Sequence, residues 1–176
     1  MKEFENPPVS ESSEHISPAI AEYLKERSIE AKVIQVPLFE GVRIETGPHE
    51  QEQVLITEKL NGCTATIIWT EQADHTRSAQ LVHFPPFMLA RHLEKISSLV
   101  TQDDIDAPKK NALIYLQSKR KENEDEISTY IKSLLGEQAS VTVEYYDTGE
   151  ESDIAGIEMG SEKVIYHLGQ KNIAAN

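Results

Sequence analysis

The stretch LNGCTATIIWTEQADHTRSAQLVHFPP, residues 60–86, reads as two strands folded back on each other. Asn61-Gly62 is a turn signal, because both residues tolerate positive φ. "CTATIIW" follows, rich in the Thr and Ile that suit a pleated surface. "AQLVHF" alternates in the same way, and the polar segment "TEQADHTRS" separates the two. Pro85 and Pro86 close the second strand. Cys63, the chain's single cysteine, opens the first strand directly after the turn.

Working outward, the same punctuation organises the rest. Residues 1–15 are polar with two prolines and read as a flexible arm. Ser17 can cap a helix that Pro18 starts, with Ile20, Tyr23 and Leu24 as its apolar face. "AKVIQVPLF", "GVRIET" and "QVLIT" are strands, the last two separated by the polar loop at 46–52. After the prolines, Phe87, Leu89, Ala90, Leu93, Ile96 and Leu99 recur at helical spacing. "TQDDIDAPKK" reads as a linker and "NALIYLQ" as a short buried strand. "KENEDEISTYIKSLLG" is a helix with an acidic first turn and Gly136 as its stop. "SVTVEYY", "DIAGIEM" and "KVIYHL" are three closing strands, and residues 171–176 form a tail. Tight hairpins imply mostly antiparallel pairing. The expectation is α+β: one domain at 16–170, an α/β sandwich of mostly antiparallel sheets with about three helices on one side.

The chain has 176 residues, with 17 Lys plus Arg against 30 Asp plus Glu, for a net charge of -13. That charge argues against nucleic acid or an anionic membrane surface as partner. A single cysteine excludes an internal disulfide framework and a cysteine-rich zinc site, and no metal is expected. No signal-peptide pattern opens the chain, and no apolar run approaches ~18 residues, so no membrane span is expected. The expected location is the cytoplasm, or outside the cell after export without a cleavable signal.

The chemistry turns on whether an imidazole reaches Cys63. A thiol with a pKa of about 8.5 is mostly protonated at neutral pH and needs a base to act as a nucleophile. His15, His49, His92 and His167 fall in the arm, a polar loop, a surface or boundary position of a helix, and the last strand. His75 and His83 remain. Pairing Thr70 with Ala79 sets His83 across from Thr66, near Cys63. His75 falls at the hairpin tip, more than ~20 Å from the thiol at ~3.3 Å per strand residue. In that register His83 and Cys63 face opposite sides, and one residue of slip or a bulge brings them together. Gly62 leaves room for a substrate, and backbone N–H groups at Gly62 to Thr64 are candidates to hold an oxyanion. Thr57 ends the preceding strand. If Asn61-Gly62 is a two-residue turn, Thr57 pairs with Thr66 and can orient the His83 ring.

Thr57, then Leu60-Asn61-Gly62-Cys63, then an alternating strand and "AQLVHFPP" resemble the cysteine glutamine-deamidase superfamily. That group includes the chemotaxis receptor deamidase CheD and the cytotoxic necrotising factor and Burkholderia lethal factor toxins. The toxins carry Leu-Ser-Gly-Cys where this chain has Leu60-Asn61-Gly62-Cys63. CheD carries a Gly-Ser-Cys turn, a strand, and a segment like Asn-His-Phe-x-x-Pro, whose place "VHFPP" takes. A threonine six residues before the cysteine also belongs to the pattern. The resemblance spans residues 57–86. Asn61 departs from it, and so does the spacing of Cys63 to His83, which is long for CheD-like members. The toxins place the histidine nearer the cysteine, which keeps His75 as an alternative base. The resemblance implies an α/β sandwich and hydrolysis of a glutamine side-chain amide on a protein substrate, without cofactor. In it Cys63 is the nucleophile, His83 the acid and base, and Thr57 the orienting group. An amine in place of water would give transglutamination.

A second class stays beside it. Small acidic α/β proteins also serve as inhibitors or binding proteins. On that reading the charge and the acidic segment 147–153 form the working surface, and Cys63 is packing.

Overall fold

The computed structural model describes residues 16–118, 121–147, 153–160 and 163–167. The expected arm and tail, and most of the acidic segment 147–153, lie outside the described residues. In chain order the elements are α1 (Pro18–Glu26), β1 (Lys32–Gln35), β2 (Glu40–Thr46), β3 (Gln53–Glu58), β4 (Thr64–Glu71) and β5 (Arg77–Phe84). A 3-10 turn (Pro86–Met88) leads into α2 (Leu89–Leu99) and α3 (Gln102–Asp106). Then come β6 (Lys109–Gln117), α4 (Glu122–Leu135), β7 (Ser140–Tyr146), β8 (Ile154–Glu158) and β9 (Lys163–His167).

The strands form two sheets, ordered β1-β3-β8-β9 and β2-β5-β4-β6-β7. Pairing is antiparallel except between β1 and β3 and between β6 and β7. The α+β sandwich of mostly antiparallel sheets is therefore as expected. The helices, however, cover both outer faces. On β3, Leu55 points to the inner core while Val54 and Ile56 meet Ile20, Tyr23 and Leu24 of α1. On the other sheet, Ala65, Ile67 and Leu81 point inward, and Ile68 and Val82 pack under α2 and α4. Period-two alternation thus feeds two cores from β3, β4 and β5.

The "TQDDIDAPKK" segment is not a plain linker. Thr101 accepts from the Asp104 N–H, and the Asp104 carboxylate accepts from the Thr101 N–H at 2.9 Å, a capping box that starts α3. Asp104 is buried, and its carboxylate also accepts from Arg43 Nε at 3.1 Å, Thr70 Oγ1 at 3.0 Å and Ser78 Oγ. One carboxylate therefore ties α3 to β2, β4 and β5. Among the described residues, no helix is long and apolar enough to cross a membrane.

Candidate active site

Leu60, Asn61, Gly62 and Cys63 make a tight turn, closed by the Cys63 N–H donating to the Leu60 carbonyl at 2.5 Å. Asn61 has φ 35 and Gly62 φ 88, so both central residues lie in the left-handed region. Conformation, more than space, selects Gly62. The nearest atoms a methyl group there would meet are those of the Gln117 carboxamide, at 3.6 to 3.9 Å.

The turn does not join a hairpin. Lys59, at φ 56, bends the chain out of β3, and the turn delivers it into β4 of the facing sheet. Thr57 therefore does not pair with Thr66. It reaches His83 across the gap between the sheets instead, with Oγ1 2.8 Å from Nδ1. The expected contact is present, by a different route.

The hairpin register differs by one residue from the Thr70–Ala79 pairing. β4 runs to Glu71 and β5 begins at Arg77, so the connecting loop is only 72–76. Thr70 pairs with Ser78, and His83 with Ala65. The shift puts His83 on the inner face with Ala65, and alternation carried one residue past the start of β4 sets Cys63 on the same face. A diagonal of this kind spans about 7–8 Å. No hydrogen bond joins the Cys63 thiol to an imidazole among the described residues. Cys63 is buried, at 9% exposure, and burial pushes the thiol pKa up.

The hydrogen bonds of Thr57 fix the state of His83. Thr57 Oγ1 donates its one proton to the Val36 carbonyl at 2.7 Å. It must then accept from His83, which places the ring proton on Nδ1. Nε2 is left as the acceptor, and it is buried with no partner among the described residues. Burial lowers the His83 pKa to about 4, so the ring is neutral at pH 7.

Thr64 is buried beside the thiol, but strand alternation turns its hydroxyl to the outer face, away from Cys63. The Cys63 N–H is already committed to Leu60. His75 lies at the hairpin tip, exposed, with Nδ1 2.8 Å from Glu71. His15 is outside the described residues. His92 is not at a surface or boundary position. It is buried on α2, with Nε2 2.8 Å from Thr66 Oγ1 and its ring 5.9 Å from Phe84. Burial, then His83, lowers its pKa to about 3. Its spacing from Leu89 and Ile96 puts it on the apolar stripe, a signal present in the sequence.

Two residues join the site without a sequence signal. Tyr146 Oη donates to the Cys63 carbonyl, and burial, then the nearby Cys63 and Asp153, raise its pKa. Gln117 ends β6 and pairs with Tyr146 of β7.

No protein-family model matches the chain, and no curated protein matches it. Among solved structures it is similar to the C-terminal domain of CNFy from Yersinia pseudotuberculosis, at 13% identity and a TM-score of 0.35. The match covers 76% of this chain and 54% of that one, so the chain spans about half the length of its structural neighbour. A likeness that slight assigns no role to any residue.

Proposed function

We propose that the chain hydrolyses a glutamine side-chain amide on a protein substrate, with Cys63 as nucleophile, His83 as acid and base, and Thr57 as orienting group. The observation that carries this reading is the chain of bonds from the Val36 carbonyl through Thr57 to His83 Nδ1. It holds the tautomer that a general base needs, with a bare Nε2 on the face that Cys63 shares. The motif resemblance over residues 57–86 supports the choice of a carboxamide as substrate.

Sγ attacks the carboxamide carbon while its proton passes to His83 Nε2. The ring returns that proton to nitrogen as the C–N bond breaks and ammonia leaves. Water then attacks the thioester, giving a proton to Nε2, and the C–S bond breaks to release glutamate and the thiol. With a raised thiol pKa and a neutral ring, proton transfer accompanies attack; no standing thiolate–imidazolium pair is required. A primary amine in place of water yields transglutamination.

One observation favours a second reading. The thiol is buried and unbonded, as a packing cysteine is, and the chain then serves as a non-catalytic acidic binding protein. The two part on a kinetic test. Turnover-dependent labelling of native Cys63 by a glutamine-like electrophile, lost in His83→Ala, supports the enzyme. Labelling only after unfolding supports the binder.

A further inference from the structure

The turn that presents Cys63 has spent one of its main-chain donors. The Cys63 N–H is bonded to Leu60, and the Thr64 hydroxyl faces the other side of the sheet. The oxyanion of the tetrahedral adduct that forms when Sγ adds to the carboxamide is stabilised by any side-chain donor held beside the turn. Gln117 is placed to provide one. β4 and β6 are antiparallel, with Ala65 opposite Tyr115. Continuing that register past the end of the ladder sets Cys63 opposite Gln117. Leu113 and Tyr115 of β6 point into the inner core, so alternation turns Gln117 to the face of Cys63 and His83. Its carboxamide lies against Gly62, half-buried, and makes no hydrogen bond among the described residues. Its neighbour Tyr146 pins the Cys63 carbonyl, which fixes the turn against the same two strands.

We infer that Gln117 is a further catalytic residue, whose Nε2–H donates to the oxyanion when Sγ adds to the substrate carboxamide. The electron pair of the C=O bond moves onto oxygen as the C–S bond forms, and Gln117 donates to that oxygen without transferring a proton. This inference rests on the deamidase reading.

The test measures ammonia release from unfolded casein, which offers many accessible glutamines, by wild type, Gln117→Ala, Gln117→Glu and Cys63→Ser. Alkylation of Cys63 by iodoacetamide and thermal unfolding are followed in parallel, because alkylation forms no oxyanion. Loss of one oxyanion donor lowers kcat about 100-fold. The expected result is that fall in both Gln117 variants, with KM, alkylation rate and unfolding midpoint close to wild type. Ammonia release unchanged or faster in Gln117→Ala overturns the inference alone, since a faster variant makes the side chain a plug. A fall in alkylation equal to the fall in kcat also overturns it, because the side chain then acts on the thiol. No Cys63-dependent ammonia from wild type overturns the deamidase reading and the inference with it.

Discussion

Thr57 Oγ1 and His83 Nδ1 lie 2.8 Å apart, yet the two residues belong to facing sheets and come together only when the sandwich closes. Thr57→Val keeps the shape and removes both bonds, leaving the Nδ1–H and the Val36 carbonyl buried and unpaired. The expected cost is about 2 kcal/mol of stability. Loss of ring orientation is expected to lower kcat by roughly 100-fold. Thr57→Ser restores most of both. Nitrogen NMR of the imidazole reads the tautomer directly: the proton sits on Nδ1 in wild type and in Thr57→Ser.

A second prediction concerns pH and stability. His83 has a folded pKa of about 4 and His92 of about 3, both below the ordinary 6.5 of histidine. The unfolded chain therefore binds more protons between these values and 6.5. Stability is full above pH 6.5 and falls as pH drops toward 4, by on the order of 3 kcal/mol for His83 alone. Urea unfolding midpoints between pH 7 and pH 4 measure the slope. His83→Gln is expected to reduce it while the His92 share remains, and a slope unchanged in that variant contradicts the assignment.

Activity has its own pH limb. His83 must be neutral to take the thiol proton, so kcat/KM is expected to rise through about pH 4 and stay flat above it. A limb near 6.5, the ordinary histidine value, instead contradicts a buried base.

Asp104 anchors the opposite end of the sandwich. Burial alone would raise its pKa, but bonds from Arg43, Ser78 and Thr101 outweigh burial and hold it below the usual range. Its contribution is present above about pH 4 and lost as pH falls below. Asp104→Ala removes the buried partner of the Arg43 guanidinium and leaves it Glu45, at 3.1 Å, and Thr101. Because Arg43 retains some exposure, the expected loss is near the low end of ~3–5 kcal/mol. Replacing both partners, Arg43→Met with Asp104→Leu, is expected to recover only the part owed to the lost charge pair in denaturant melts, because Thr70, Ser78 and the Thr101 N–H still lose their acceptor.

The hairpin at 60–86 was legible because alternation and turn residues agree there. Its register was not, and burial explains why. Both faces of β4 and β5 are covered, one by the facing sheet and one by helices, so alternation alone does not choose between neighbouring registers. Glu71 and Arg77, whose charged groups lie 4.0 Å apart, read as loop because they are polar, but they form the last rung of the ladder. Thr57 was legible as a partner for His83 from motif spacing, while its route across two sheets was not. Helix α3 escaped because "TQDDID" is polar apart from Ile105; its signal was the Thr101–Asp104 cap. Gln117 and Tyr146 depend on long-range pairing of β6 and β7, which no local pattern announces.

The central claim is tested most directly by intact-mass analysis of candidate substrate proteins after incubation with the chain. Deamidation adds about 1 Da for each glutamine converted to glutamate. The account predicts that gain with wild type, and none with Cys63→Ser or His83→Ala. A gain that persists in Cys63→Ser, or no gain on any substrate with folded wild type, contradicts it.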